Sequence, residues 1–66
     1  MKIVLNGDPT EVAENASVNE LLAQFKLTPA RVAVELNEQL VRRTQFDETR
    51  LKPGDRVEVV TLVGGG

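Results

Sequence analysis

The chain has no cysteine, histidine, tryptophan or tyrosine among its 66 residues. Without cysteine there are no disulfides, and without cysteine or histidine the usual zinc ligands are missing. Thiol nucleophiles and imidazole bases are absent for the same reason. Carboxylates remain, but so short a chain rarely encloses a ligand pocket of several hundred Å3. An enzyme is therefore not expected, and no bound metal or cofactor is expected. Phe25 and Phe46 are the only aromatics, too few for a base-stacking platform. Eight basic and ten acidic residues give a net charge of −2, spread along the chain and unlike a nucleic-acid footprint. No apolar run approaches the ~20 residues of a membrane span. Met1-Lys2 leads straight into a strand pattern, so no signal peptide is expected. These features point to a soluble cytoplasmic protein with neither nucleic acid nor membrane as partner.

The length suits one small domain, which buries only about 60% of its unfolded surface. The 41% hydrophobic content must supply the core unaided. Residues 1–5 alternate, with Met1, Ile3 and Leu5 on one side, as a strand requires. Asn6-Gly7 follows, and both residues accept the positive φ of a type I′ hairpin turn. Asp8-Pro9 extends the loop, and residues 10–14 return as an antiparallel strand with Val12 inward. Ser17-Val18-Asn19-Glu20 is a capping box, in which the serine hydroxyl and glutamate carboxylate satisfy each other's backbone N–H groups. Val18, Leu21, Leu22 and Phe25 then fall on one helix face. Thr28-Pro29 is the expected stop, because the residue before proline avoids the α region.

A third strand is expected over residues 31–36, with Val32, Val34 and Leu36 on one face and Ala33 and Glu35 on the other. Asn37-Glu38 is a turn candidate, and Leu40 and Val41 suggest a short edge strand. Residues 42–51 read as irregular, anchored by Phe46 and Leu51. Pro53 and Gly54 fit the central positions of a type II turn. The last strand runs from Arg56 to residue 63, with Val57, Val59 and Thr61 on one side and Val60 and Leu62 on the other. One helix cannot cover both faces of a sheet. The expected class is α+β: a mixed five-stranded sheet with one main helix on one face and the last strand parallel to the first. That arrangement is the β-grasp, or ubiquitin-like, fold. It is expected over residues 1–63, with residues 64–66 as a flexible glycine tail.

Gly64, Gly65 and Gly66 add a chemical expectation. Glycine lacks a Cβ and orders only at an entropic cost. A glycine thread carrying the α-carboxylate of Gly66 can enter a narrow cleft that any side chain would block. A frayed terminus has the same composition. Ala33, Val60 and Leu62 form a candidate partner-docking patch on the helix-free face beside this thread.

Taken in order, these segments resemble the sulfur carrier proteins of thiamine biosynthesis, the ThiS family. The resemblance rests on Ile3-Val4-Leu5-Asn6-Gly7, on Val34-Glu35-Leu36-Asn37 followed by Leu40-Val41-Arg42-Arg43, and on the run from Leu51-Lys52-Pro53-Gly54-Asp55 through Arg56-Val57-Glu58-Val59-Val60. The closing Gly64-Gly65-Gly66 completes it. Phe46 departs from the tryptophan or tyrosine common there, a change of packing rather than of chemistry. The resemblance implies that a ThiF-type adenylyltransferase uses ATP to adenylate Gly66. A persulfide sulfur donor then converts it to a thiocarboxylate, and thiazole synthase receives the sulfur. The chain would be a co-substrate and not a catalyst. A carrier for molybdopterin or another pathway shares the fold and tail. A β-grasp binding module or an isopeptide-linked protein modifier is a further alternative. A hexahistidine extension after Gly66 separates them: binding through an internal surface survives it, whereas carrier function does not.

Overall fold

A computed structural model describes residues 1–62; residues 63–66, and with them the expected tail at Gly64, Gly65 and Gly66, lie outside the described residues. The chain forms β1 (Lys2–Leu5), β2 (Asp8–Glu11), α1 (Val18–Gln24), β3 (Val32–Leu36), β4 (Gln39–Val41) and β5 (Arg56–Thr61). Single 3₁₀ turns occupy Pro29–Arg31 and Arg43–Gln45. The strands form one sheet in the order β2-β1-β5-β3-β4. The strand farthest along the sequence is therefore central. It runs parallel to β1 and antiparallel to β3. This is the mixed five-stranded β-grasp sheet that the alternation of the segments implies.

Alternation divides each strand between two faces. Ile3, Val34 and Val57 point to the helix side and are buried. Val18, Leu21 and Leu22 of α1 meet them there, and Phe46 and Leu51 close the core beneath the irregular segment. Ile3, Val18, Leu22 and Val34 are each 0% exposed, so the core is closed to the surface there. Val12 is buried as the alternation requires, although it lies just past the end of β2.

The capping box is present in full. The Ser17 hydroxyl accepts from the Glu20 N–H at 3.0 Å, and the Glu20 carboxylate accepts from the Ser17 N–H at 2.7 Å. Such a cap contributes about 1 kcal/mol. It matters in a helix of seven residues, which is too short to persist without tertiary packing.

The helix stop differs from the expected one. It comes before Thr28-Pro29, at Lys26, whose φ is +58°. The Leu27 N–H donates to Leu22 O and the Lys26 N–H to Ala23 O, the paired bonds of a Schellman motif. Lysine stands where glycine is usual. Consequently Phe25 is the C-cap residue, not the last member of the buried stripe, and is 43% exposed. The turn of backbone takes its side chain off the apolar face.

The second strand also begins earlier than residues 10–14. Leu5 pairs with Asp8, so Asn6-Gly7 alone forms the turn, with φ of +49° and +86°. Pro9 lies within β2, opposite Val4. The Val4 N–H donates to Asp55 O on the other side of β1, so this is a non-hydrogen-bonded pair within the hairpin. The edge strand thus tolerates a residue that has no N–H. The third strand begins at Val32, one residue later than expected, because Arg31 belongs to the preceding 3₁₀ turn.

Candidate functional site

The candidate site is built by β5 and β3. Their register pairs Ala33 with Val60, Val34 with Val59 and Glu35 with Glu58. Val34 and Val59 face the helix, so Ala33, Glu35, Glu58 and Val60 share the opposite face. Val60 is 60% exposed and Leu62 is 50% exposed. Ala33 is half-buried. The Leu62 N–H donates to Arg31 O at 2.8 Å, extending the β3–β5 pairing one residue past the strand. The structure therefore brings Ala33, Val60 and Leu62 together, at the end of the sheet from which the glycine sequence continues.

Leu40 joins them. It pairs with Glu35 across β3 and β4 and is 70% exposed, the most exposed large apolar residue among those described. Its membership of the patch depends on β4 lying next to β3 in a particular register. A local reading of Leu40-Val41 contains only the edge strand.

Two asparagines fix this face in place. At the β1–β2 turn, the Asn6 side chain accepts from the Val59 N–H at 2.8 Å and donates to Val59 O at 3.2 Å. The β1–β5 ladder has only two residue pairs, and this amide acts as a further rung. At the β3–β4 turn, Asn37 Oδ1 accepts from the Arg56 N–H at 3.0 Å and its Nδ2 donates to Asp55 at 3.1 Å. Both hairpin tips thus grip β5 through an amide side chain.

A depression of about 410 Å3 is lined by Ser17, Asn19, Glu20, Ala23, Asp47 and Arg50. Its polar groups serve the helix start: Glu20 holds the cap and pairs with Arg50, while Asn19 donates to Asp47. Among the described residues, no group of three acidic side chains is placed to hold a metal ion. No helix among them is long and apolar enough to cross a membrane. Gly66, the expected adenylation site, lies outside the described residues, so the geometry bears on docking and not on the reacting group.

Comparisons with known proteins agree with the fold. The sequence profile described as "ThiS family" matches residues 3–66. The crystal structure of a thiamine biosynthesis protein (ThiS) from Geobacter metallireducens is similar with a TM-score of 0.85 and 43% identity, covering 100% of both chains. The sulfur carrier protein ThiS of Escherichia coli is 30% identical over 66 residues, all of both chains. A thiazole synthase of Paramagnetospirillum magneticum is 32% identical over the whole of this chain, which spans 20% of that protein's length. With one profile spanning nearly every residue, and a full-length relative at this identity, the chain belongs to the ThiS family.

Proposed function

We propose that the chain is the sulfur carrier of thiazole formation in thiamine biosynthesis and that it works through the Gly66 carboxylate. A carboxylate is a poor electrophile, because expelling an oxide is unfavourable. Attack of one carboxylate oxygen on the α-phosphorus of ATP, catalysed by a ThiF-type adenylyltransferase, releases pyrophosphate and yields an acyl-adenylate. The terminal sulfur of a cysteine persulfide then attacks the acyl carbon and expels AMP. A thiol cleaves the resulting S–S bond, leaving a thiocarboxylate on Gly66 and a disulfide on the donor. Thiazole synthase takes the sulfur. The carrier supplies the reacting atom and its partners supply catalysis and ATP, so it is not itself an enzyme. The reading places it in the cytoplasm.

The observation that carries this reading is the position of β5. The central strand ends at Thr61, beside the pairing of Ala33 with Val60, and Leu62 leads into residues 63–66 of the sequence. Those four residues span at most about 13–14 Å. A partner that covers Ala33, Leu40, Val60 and Leu62 therefore sits within reach of the Gly66 carboxylate. The thiazole synthase relative supports the link to that enzyme, since a stretch similar to this chain forms part of it.

Deletion of Gly66 tests the reading. The carboxylate retreats by one residue, about 3.3–3.6 Å, beyond the tolerance of an attack that needs atoms roughly 3–3.5 Å apart. ATP–pyrophosphate exchange with a ThiF-type enzyme should be lost while the circular dichroism spectrum is unchanged. Exchange at the undeleted rate would reject Gly66 as the reacting group. A carrier for another pathway would pass this test, but its thiocarboxylate would not support thiazole formation by thiazole synthase.

A further inference from the structure

Glu35 and Glu58 are directly opposed in the β3–β5 ladder, on the helix-free face, and both are exposed. Directly opposed side chains of an antiparallel pair stand about 4.5–5.5 Å apart at Cβ, and like charges there are destabilising. Among the described residues, the ion pairs use Glu11, Glu14 and Glu20, and no lysine or arginine nitrogen lies within 4.0 Å of either Glu35 or Glu58. Arg56 shares their strand face, two residues before Glu58, yet makes no ion pair with it. The free fold gains nothing from this juxtaposition. Threonine or glutamine at either position would suit the strand without repulsion.

The surroundings give the pair a direction. Leu40 is opposite Glu35 on one side, and Val60 follows Glu58 on the same face of β5, opposite Ala33. The carboxylates are thus set among the most exposed apolar side chains of the sheet. A partner covering Leu40, Val60 and Leu62 must displace water from both carboxylates. With water gone, their mutual repulsion rises unless a cation enters between them. A guanidinium fits best, because its planar fork can donate to two carboxylates at once and its weak hydration lowers the cost of burial. A neutral or acidic surface is turned away by the same arrangement, which confers specificity through exclusion.

We propose that Glu35 and Glu58 form a paired-carboxylate socket that receives one arginine or lysine side chain from the adenylating enzyme, with Leu40, Val60 and Leu62 as the apolar contact around it. The inference rests on the sulfur-carrier reading and names the partner chemistry that the docking face selects. The two glutamates are docking residues and take no part in the reaction itself.

The test is ATP–pyrophosphate exchange with a purified ThiF-type adenylyltransferase and the carrier as varied substrate. Wild type, Glu35→Gln, Glu58→Gln and the double variant are compared, and the thermal midpoint of each is measured. Each single variant should raise KM for the carrier roughly tenfold with kcat unchanged, as expected when a charge contact of binding is lost. The double variant should add little, because one cation serves both carboxylates. KM should rise with ionic strength in the wild type and much less in the variants. The midpoint should stay or increase in all three, since repulsion is relieved. That combination of looser docking and equal or greater stability is one that a structural role does not produce. KM values within about twofold of wild type would overturn the socket, as would a KM increase that follows a fall in midpoint. If the wild-type chain supports no exchange, the sulfur-carrier reading fails and the socket fails with it.

Discussion

The two faces of this sheet are written by alternate residues of the same strands, yet they obey different rules. On the helix side, Ile3, Val34 and Val57 are buried against Val18, Leu21 and Leu22. On the other side, Leu40 and Val60 remain mostly in water beside two opposed glutamates. The first arrangement lowers the free energy of the folded chain. The second leaves apolar surface in water, where a partner of the kind proposed above would cover it. Neighbouring residues along one strand, such as Val59 and Val60, thus belong to the core side and to the proposed docking side respectively.

The most direct way to break the contrast is in the helix face. Leu22→Ala should destabilise by roughly 2–5 kcal/mol, the range for emptying a packed leucine site. Urea denaturation followed by circular dichroism reads the change. A midpoint within error of wild type would mean that Leu22 does not carry the core. Asn37→Ala comes next. It removes the amide that accepts from Arg56 N–H and donates to Asp55, and should cost about 1–2 kcal/mol on the same measurement. Its effect would show how far stability depends on the hairpin tips gripping β5.

Smaller effects sharpen the comparison. Lys26 and Glu38 hold φ of +58° and +70°, a region that disfavours side chains. Lys26→Gly should stabilise by roughly 0.5–1 kcal/mol, once glycine's greater unfolded-state freedom is set against relief of the left-handed strain. A destabilised variant would show that the lysine side chain makes a compensating contact. Val60→Ser should leave stability within about 0.5 kcal/mol of wild type while weakening adenylation through a higher KM for the carrier. Loss of stability comparable with that of Leu22→Ala would erase the distinction between the faces.

Features made by adjacent residues were legible in the sequence. The capping box of Ser17 and Glu20, the Asn6-Gly7 turn and the Pro53-Gly54 turn each depend on side chains within three positions, and each is found in place. Alternation likewise placed Ala33 and Val60 on the side away from Val34 and Val59. The misreadings arose where context outweighed local preference. Pro9 enters a strand because that strand is an edge. Lys26 ends the helix in a conformation associated with glycine, so Phe25 loses its place in the core. Of the candidate site, the residues flanking the glycines could be found by alternation alone. Leu40 and the Glu35–Glu58 opposition could not, because each depends on the register between strands brought together only by the fold.

The central place of β5 has a consequence for synthesis. Without residues 56–61, the two hairpins β1–β2 and β3–β4 have no strand to join them, because β5 alone lies between β1 and β3. A nascent chain therefore cannot complete its sheet until that strand has emerged, and its long-range pairings form last. A product cut short before Arg56 does not become a folded carrier that lacks a usable tail. It fails to fold, and is exposed to proteolysis.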